Sequence, residues 1–199
     1  MTAVQIPLST GYARATPRFV DFGTVQTPPG GGVAQRLDRL GSRWALDIQL
    51  AMTREGASLR ALVAALLQAR SAGASYPWPQ PGLTIGTPGT VLVNGAGQTG
   101  LVLVVDSMTA SYPVQAGQFF SILTGGRRYL HMVTAAVTAS VGGAATLSIF
   151  PMLRVSPADN SPCEFAAPVI EGLIEGAQMA WDHDRDSWVP LSFSIAEVA

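Results

Sequence analysis

The densest concentration of reactive side chains is Asp182-His183-Asp184-Arg185-Asp186. Alternating carboxylates suit a hard cation, but the run lacks the central glycine and the later bidentate glutamate of an EF-hand loop. It reads instead as a solvated hairpin tip flanked by Trp181 and Trp188. Gly95-Ala96-Gly97-Gln98-Thr99-Gly100 matches the G-x-G-x-x-G pattern of dinucleotide loops. That chemistry needs the loop to open into a helix whose N-terminus takes the pyrophosphate, with an acidic residue about twenty positions on. Here Leu101 to Val105 is strand-like and Asp106 comes too soon, so a glycine-rich hairpin loop is expected.

His131 stands in Tyr129-Leu130-His131-Met132-Val133, where a period of two places it with Tyr129 and Val133. A packed or hydrogen-bonded histidine is expected there rather than a general base. Cys163 is the only cysteine, which excludes an intrachain disulfide and a cysteine-based metal site. No G-x-S-x-G elbow occurs. No catalytic residue, metal ligand or cofactor is assigned, and an enzyme is not expected.

The elements that would position these residues are mostly strands. Phe119 to Leu123, Arg128 to Val137 and Ala145 to Phe150 are rich in β-branched and aromatic residues and are separated by glycine-rich breaks. Thr124-Gly125-Gly126-Arg127 supplies a φ > 0 pair for a tight hairpin, as Ser140-Val141-Gly142-Gly143 can for the next. A small β-barrel follows, with further strands at Leu83 to Ile85, Val91 to Val93 and Leu101 to Val105.

Upstream, the first twenty residues are poorly patterned and are expected to form an extended lead-in. Phe19 to Val25 is a short strand ending at Thr27-Pro28-Pro29-Gly30-Gly31-Gly32, which cannot continue a ladder. Val33 to Leu40 suits an edge strand, with Gly41-Ser42 as a type II′ turn into Arg43 to Met52. In that second arm Trp44, Leu46, Ile48, Leu50 and Met52 share one face, and Arg43, Ala45, Asp47 and Gln49 the other. Leu59, Leu62, Val63, Leu66 and Leu67 recur at helical spacing, with Thr53 or Ser58 as cap and Gly73 as stop.

Proline-rich breaks at Ser75 to Gly82 and Ser156 to Pro162 bound the middle section. Beyond them Glu164 to Ile174, Ala177 to Trp181 and Leu191 to Ile195 return to strand character. A final strand with one buried face must pair upstream. The expected organisation is therefore discontinuous: residues 1–82 and 162–199 form one domain, and residues 83–161 form an inserted barrel.

With 48% hydrophobic and 13% charged residues, the 199-residue chain can bury a sizeable core. A net charge of -1 removes the basic footprint of a nucleic-acid-backbone binder and any polybasic membrane signal. The longest apolar runs are too short to span a bilayer, and Met1 to Leu8 carries no secretory pattern. Neither specific nucleic-acid binding nor membrane insertion is expected.

The order of elements resembles the distal tail proteins of long-tailed phages. The likeness rests on Arg43-Trp44-Ala45-Leu46-Asp47-Ile48-Gln49-Leu50 and the helix after it, and on Val93-Asn94-Gly95-Ala96-Gly97-Gln98-Thr99-Gly100. It extends through Ala116-Gly117-Gln118-Phe119-Phe120-Ser121-Ile122, Arg128-Tyr129-Leu130-His131-Met132-Val133 and Ala145-Thr146-Leu147-Ser148-Ile149-Phe150-Pro151 to Leu191-Ser192-Phe193-Ser194-Ile195-Ala196-Glu197. The resemblance implies a mainly β (α+β) fold: a tail-tube-like split β-barrel with one packed helix, plus an inserted OB-like β-barrel. It implies a homohexameric ring in the virion tail tip, assembled in the host cytoplasm. Tail-tube protein would lie on one face and a baseplate hub protein on the other, with receptor-binding or fibre proteins as peripheral neighbours. The ring contact is expected on the hairpin arms, at Val33, Gln35, Leu37 and Arg39 and at Arg43, Ala45, Asp47 and Gln49, and at the adjacent Arg127 and Arg128. A second reading, from another class, is a binding module whose barrel grips an oligosaccharide or single-stranded nucleic acid.

Overall fold

The computed structural model describes residues 3–7, 11–181 and 188–198; the acidic run Asp182 to Asp186 lies outside them. In chain order the elements are β1 (Val4–Gln5), β2 (Tyr12–Val20), β3 (Thr24–Gln26), β4 (Gln35–Leu37), β5 (Arg43–Leu50), β6 (Thr53–Arg54), α1 (Ala57–Ala72) and β7 (Ala74–Pro77). Then come β8 (Gly89–Val93), β9 (Gly100–Met108), β10 (Pro113–Val114), β11 (Phe119–Thr124), β12 (Arg127–Val133), β13 (Val137–Thr138), β14 (Ala145–Leu153) and β15 (Pro162–Glu164). The last are β16 (Val169–Ile174), β17 (Trp188–Val189) and β18 (Ser192–Glu197). The fold is mainly β, with two principal bodies.

The first is a six-stranded sheet in the order β1-β7-β16-β18-β5-β2, so the two ends of the chain interleave in one layer. The alternation of β5 is borne out: Trp44, Leu46, Ile48 and Leu50 are buried, whereas Met52, past the strand end, is 65% exposed. Helix α1 turns Leu59, Leu62, Leu66 and Ala69 into the same core and packs on β1, β7 and β16. Gly73 stops it as expected, at φ 88, its N–H returning to the Ala69 carbonyl. Position 172 in β16 must be glycine for another reason: a Cβ there would overlap the Ala196 carbonyl of β18.

The second body is a closed antiparallel barrel in the order β11-β12-β14-β9-β8-β15. Its β11–β12 hairpin pairs Thr124 with Arg127 across Gly125 and Gly126, both at positive φ, as the sequence requires. At the next turn only Gly143 takes positive φ, and Ser140 accepts its N–H at 2.9 Å. The closing strand β15 begins at Pro162, so the barrel ladder runs past the expected boundary at 161.

The chain leaves the sheet at the end of β7 and returns at the start of β16. These strands are antiparallel neighbours, Pro77 opposite Val169, and the Trp78 N–H donates to the Pro168 carbonyl at 2.7 Å. In chain order the barrel strands thus lie between β7 and β16 of the sheet, and Ser75 to Pro77 belongs to the sheet rather than to a break.

Several local expectations are corrected. Tyr12 to Val20 is not a lead-in but a nine-residue edge strand. Its pattern is obscured because one edge is open and Pro17 interrupts it, a position proline tolerates only at an edge. The Val33 to Met52 hairpin does not form: β4 pairs with β3, while β5 pairs with β2 and β18. Gly41 lacks the positive φ of a II′ turn. Neither Thr53 nor Ser58 caps α1; the N-cap is Gly56, with no side-chain bond. Leu83 to Ile85 and Ala177 to Trp181 are irregular.

Accessibility along the backbone decides where a protease enters first. Every residue from 24 to 40 is exposed, while Trp78 is anchored in the core. Limited trypsin digestion read by mass spectrometry is expected to cut first at Arg36 or Arg39. A first cut between β11 and β14 would contradict the barrel.

Candidate functional site

The β3–β4 ribbon projects from the sheet and is exposed throughout. Arg36 forms ion pairs with Asp21 at 2.6 Å and Asp38 at 2.7 Å, so the ribbon's charges are largely neutralised within it. The Asp21 carboxyl lies below its usual range because it accepts from the Gly23 N–H and from Arg36. The cross-strand pairs Thr24–Leu37 and Gln26–Gln35 form an uncharged face. Val25 is 62% and Val33 92% exposed. Val33, Gln35, Leu37 and Arg39 therefore lie together on one free-standing element.

The β5 residues expected beside them behave differently. Ala45 is fully buried, a correction: it lies on an inner strand between Arg18 of β2 and Ala196 of β18, where a methyl projects little beyond the backbone. Asp47 receives a two-pronged pair from Arg18, at 2.7 and 2.9 Å, and Arg18 also meets Glu175 at 2.6 Å. Burial pushes the Asp47 carboxyl up, but hydrogen bonds from Arg18 and Ser194 hold it below its usual range. Gln49 stays exposed, and the Arg43 guanidinium stacks 5.1 Å from the Phe22 ring at the root of the ribbon.

Arg127 and Arg128 are not a matched solvated pair. Arg128 donates to Glu164 at 2.9 and 3.2 Å, and its N–H to Glu171 at 3.2 Å, tying β12 to β15 and β16. Arg127 is half-buried in a narrow cleft with Ala72 and Gly73 at the end of α1.

A buried polar centre lies where sheet meets barrel, and it was not anticipated. Glu197 of β18 accepts the Trp44 N–H of β5 at 3.0 Å and the Leu130 N–H of β12 at 2.7 Å. Arg154, after β14, places Nη2 2.8 Å from its Oε1, and its Nη1 donates to the Val198 carbonyl at 3.2 Å. Burial drives the Glu197 carboxyl above its usual range, against Arg154 and the two amides. Around the centre, the Trp44 ring meets Phe19, Trp78, Phe119 and Phe150 at 5.2, 5.8, 5.1 and 6.4 Å. A signal did exist: period two places Glu197 on the apolar face of Phe193 and Ile195.

The remaining reactive groups have structural partners. His131 is buried beside Phe120, its Nδ1–H donating to the Pro151 carbonyl at 2.9 Å. Burial lowers its pKa to about 4, and nearby Arg154 adds to the effect. Burial also pushes the Cys163 thiol up to about 12. The Gly95–Gly100 loop leads into strand β9; Gln98 fastens it, exchanging two bonds with Val104 and donating to the Asn94 and Gly95 carbonyls. Among the described residues no three His, Cys, Asp or Glu side chains are placed to hold a metal ion.

Removing one member of a buried ion pair strands the other. Glu197→Ala is expected to destabilise the protein by roughly 3–5 kcal/mol in urea unfolding, and Glu197→Leu combined with Arg154→Met to recover most of that. A second prediction concerns pH. The unfolded chain protonates His131 near 6.5 and the folded chain only near 4, so stability falls as pH drops through that window. The contribution is on the order of 3 kcal/mol; Glu197, with its raised pKa, acts in the opposite sense. His131→Gln should make the stability profile between pH 7 and 4 less steep, and parallel profiles would place the titration elsewhere.

No family model matches the chain, and no curated protein matches it. Function is therefore read from the residues and their placement.

Proposed function

We propose that the protein is a structural component of a phage or phage-derived tail, a distal tail protein forming a ring between the tail tube and the baseplate or tip hub. The observation that carries this is the β3–β4 ribbon, whose side chains from 24 to 40 are all exposed. A lone two-stranded ribbon is marginal in water, and exposed apolar residues on it mark a contact surface. Phe22, Val25, Val33, Leu37 and Leu40 supply that apolar surface. A ribbon that meets a different surface on the next copy makes a head-to-tail contact, and head-to-tail contacts that close make rings. The split layout, with a barrel inserted into a sheet built from both chain ends, is of the kind the resemblance implies. On this reading the ring is a homohexamer, its neighbours are the tail-tube and hub proteins, and receptor-binding or fibre proteins attach at the rim.

The alternative, a barrel that grips sugar or single-stranded nucleic acid, needs exposed rings for stacking. Phe120 stacks on Phe165 at 4.5 Å inside the barrel, and Phe119 packs into the sheet core. The exposed large hydrophobics of the barrel among the described residues are aliphatic: Leu101, Val102, Val141 and Val155. This favours the ring.

Light scattering and negative-stain images of the native protein test the reading. Rings are expected, and replacing residues 24–37 by a short Gly-Ser link should give a folded monomer. A native protein that is monomeric at every concentration tested would overturn it.

A further inference from the structure

At the junction of sheet and barrel an open groove of ≈ 340 Å³ runs between Pro17 of β2, the Trp78 to Leu83 connection, and Ala116, Gly117 and Phe119 ahead of and within β11. No charged side chain lines it. Three of its lining residues are prolines, Pro17, Pro79 and Pro81, and the tilted ring pair Trp78 and Phe119, centroids 4.9 Å apart, lines it as well. Aromatic and proline-lined grooves accept proline-rich segments, whose restricted backbone costs little entropy to dock.

The neighbouring sheet edge points the same way. The open side of β2 carries Pro17 in its middle, so a full backbone ladder cannot be added there. An incoming segment that needs no ladder can still dock. The Gln80 Oε1 accepts the Phe119 N–H at 2.7 Å, but its Nε2 has no partner. A segment that offers carbonyls and withholds N–H groups complements that amide once the side chain turns toward the groove.

One segment of the chain has this chemistry. Thr27-Pro28-Pro29-Gly30-Gly31-Gly32 forms the tip of the β3–β4 ribbon, uncharged and with two residues that carry no N–H. The tip is pre-shaped by a turn in which the Gly31 N–H donates to the Pro28 carbonyl at 3.2 Å. Its apex is open: a Cβ added at Gly30 or Gly31 would meet no atom of the described residues within 4 Å. We infer that the groove receives the Pro28-Pro29 tip of a second copy's ribbon, each chain giving its tip to one neighbour and its groove to the other. The inference rests on the ring reading above and names the contact that would propagate it.

Cysteine pairing tests the contact, since native Cys163 is buried in the barrel core and stays silent. Pro29→Cys and Ala116→Cys chains are prepared separately, mixed, and oxidised. A covalent dimer forming in the mixture at least tenfold faster than in either variant alone supports the inference; equal rates overturn it. Ala116→Arg, at an exposed position, sets a charge in the groove and is expected to convert the assembly to folded monomer. If this variant stays assembled while the ribbon deletion does not, the groove assignment falls and the ring reading stands. If the native protein is a monomer, both fall.

Discussion

The carboxylate of Glu197 is the point on which both bodies depend. It sits on the last strand of the sheet and takes backbone N–H groups from β5 on one side and from barrel strand β12 on the other. A carboxylate buried this deeply is costly unless its oxygens are occupied, and here two amides and Arg154 occupy them. The Trp44 bond closes within the sheet, between neighbouring strands, whereas the Leu130 N–H and Arg154 reach the carboxylate only when sheet and barrel are docked. The aromatic cluster around Trp44 supplies apolar contact at the same seam, but it would tolerate some sliding; the directed bonds to Glu197 fix the register.

The apolar packing crosses the same seam. Leu130 and Phe119 are barrel residues by strand, yet they pack into the sheet core together with Met132 and Phe150. The barrel keeps a separate interior around Phe120, Leu147 and Phe165. Two cores share strands β11, β12 and β14, and the polar centre lies at their border.

Much of this was legible in the residues. The barrel hairpin followed from Gly125-Gly126, the buried face of β5 from its alternation, α1 from its leucine spacing, and the upstream pairing of the last strand from its one buried face. What was misread had physical causes. Strand β2 was hidden because an open edge imposes little alternation and admits a proline at position 17. The ribbon was joined to β5 because adjacent strands usually pair, whereas β3, set before the proline-glycine tip, is the nearer partner in space. Ala45 was placed on the surface by period alone; pattern does not reveal how little a methyl on an inner strand projects. The Glu197–Arg154 centre needed register across four strands, which a single sequence does not carry, although a carboxylate on an apolar face was there to be noticed.

The ladder between β7 and β16 gives the molecule a mechanical character. The barrel is tethered through Pro77 and Val169, which lie opposite each other at the same end of an antiparallel pair. Tension that draws the barrel off the sheet would load that pair as a zipper, one hydrogen bond at a time, instead of shearing the whole ladder at once. The resisting element is then the seam itself, where directed bonds and interlocked rings must fail together. Force reaching the barrel from outside would be borne by Glu197 and the Trp44 cluster first, and by the covalent tether only after they let go.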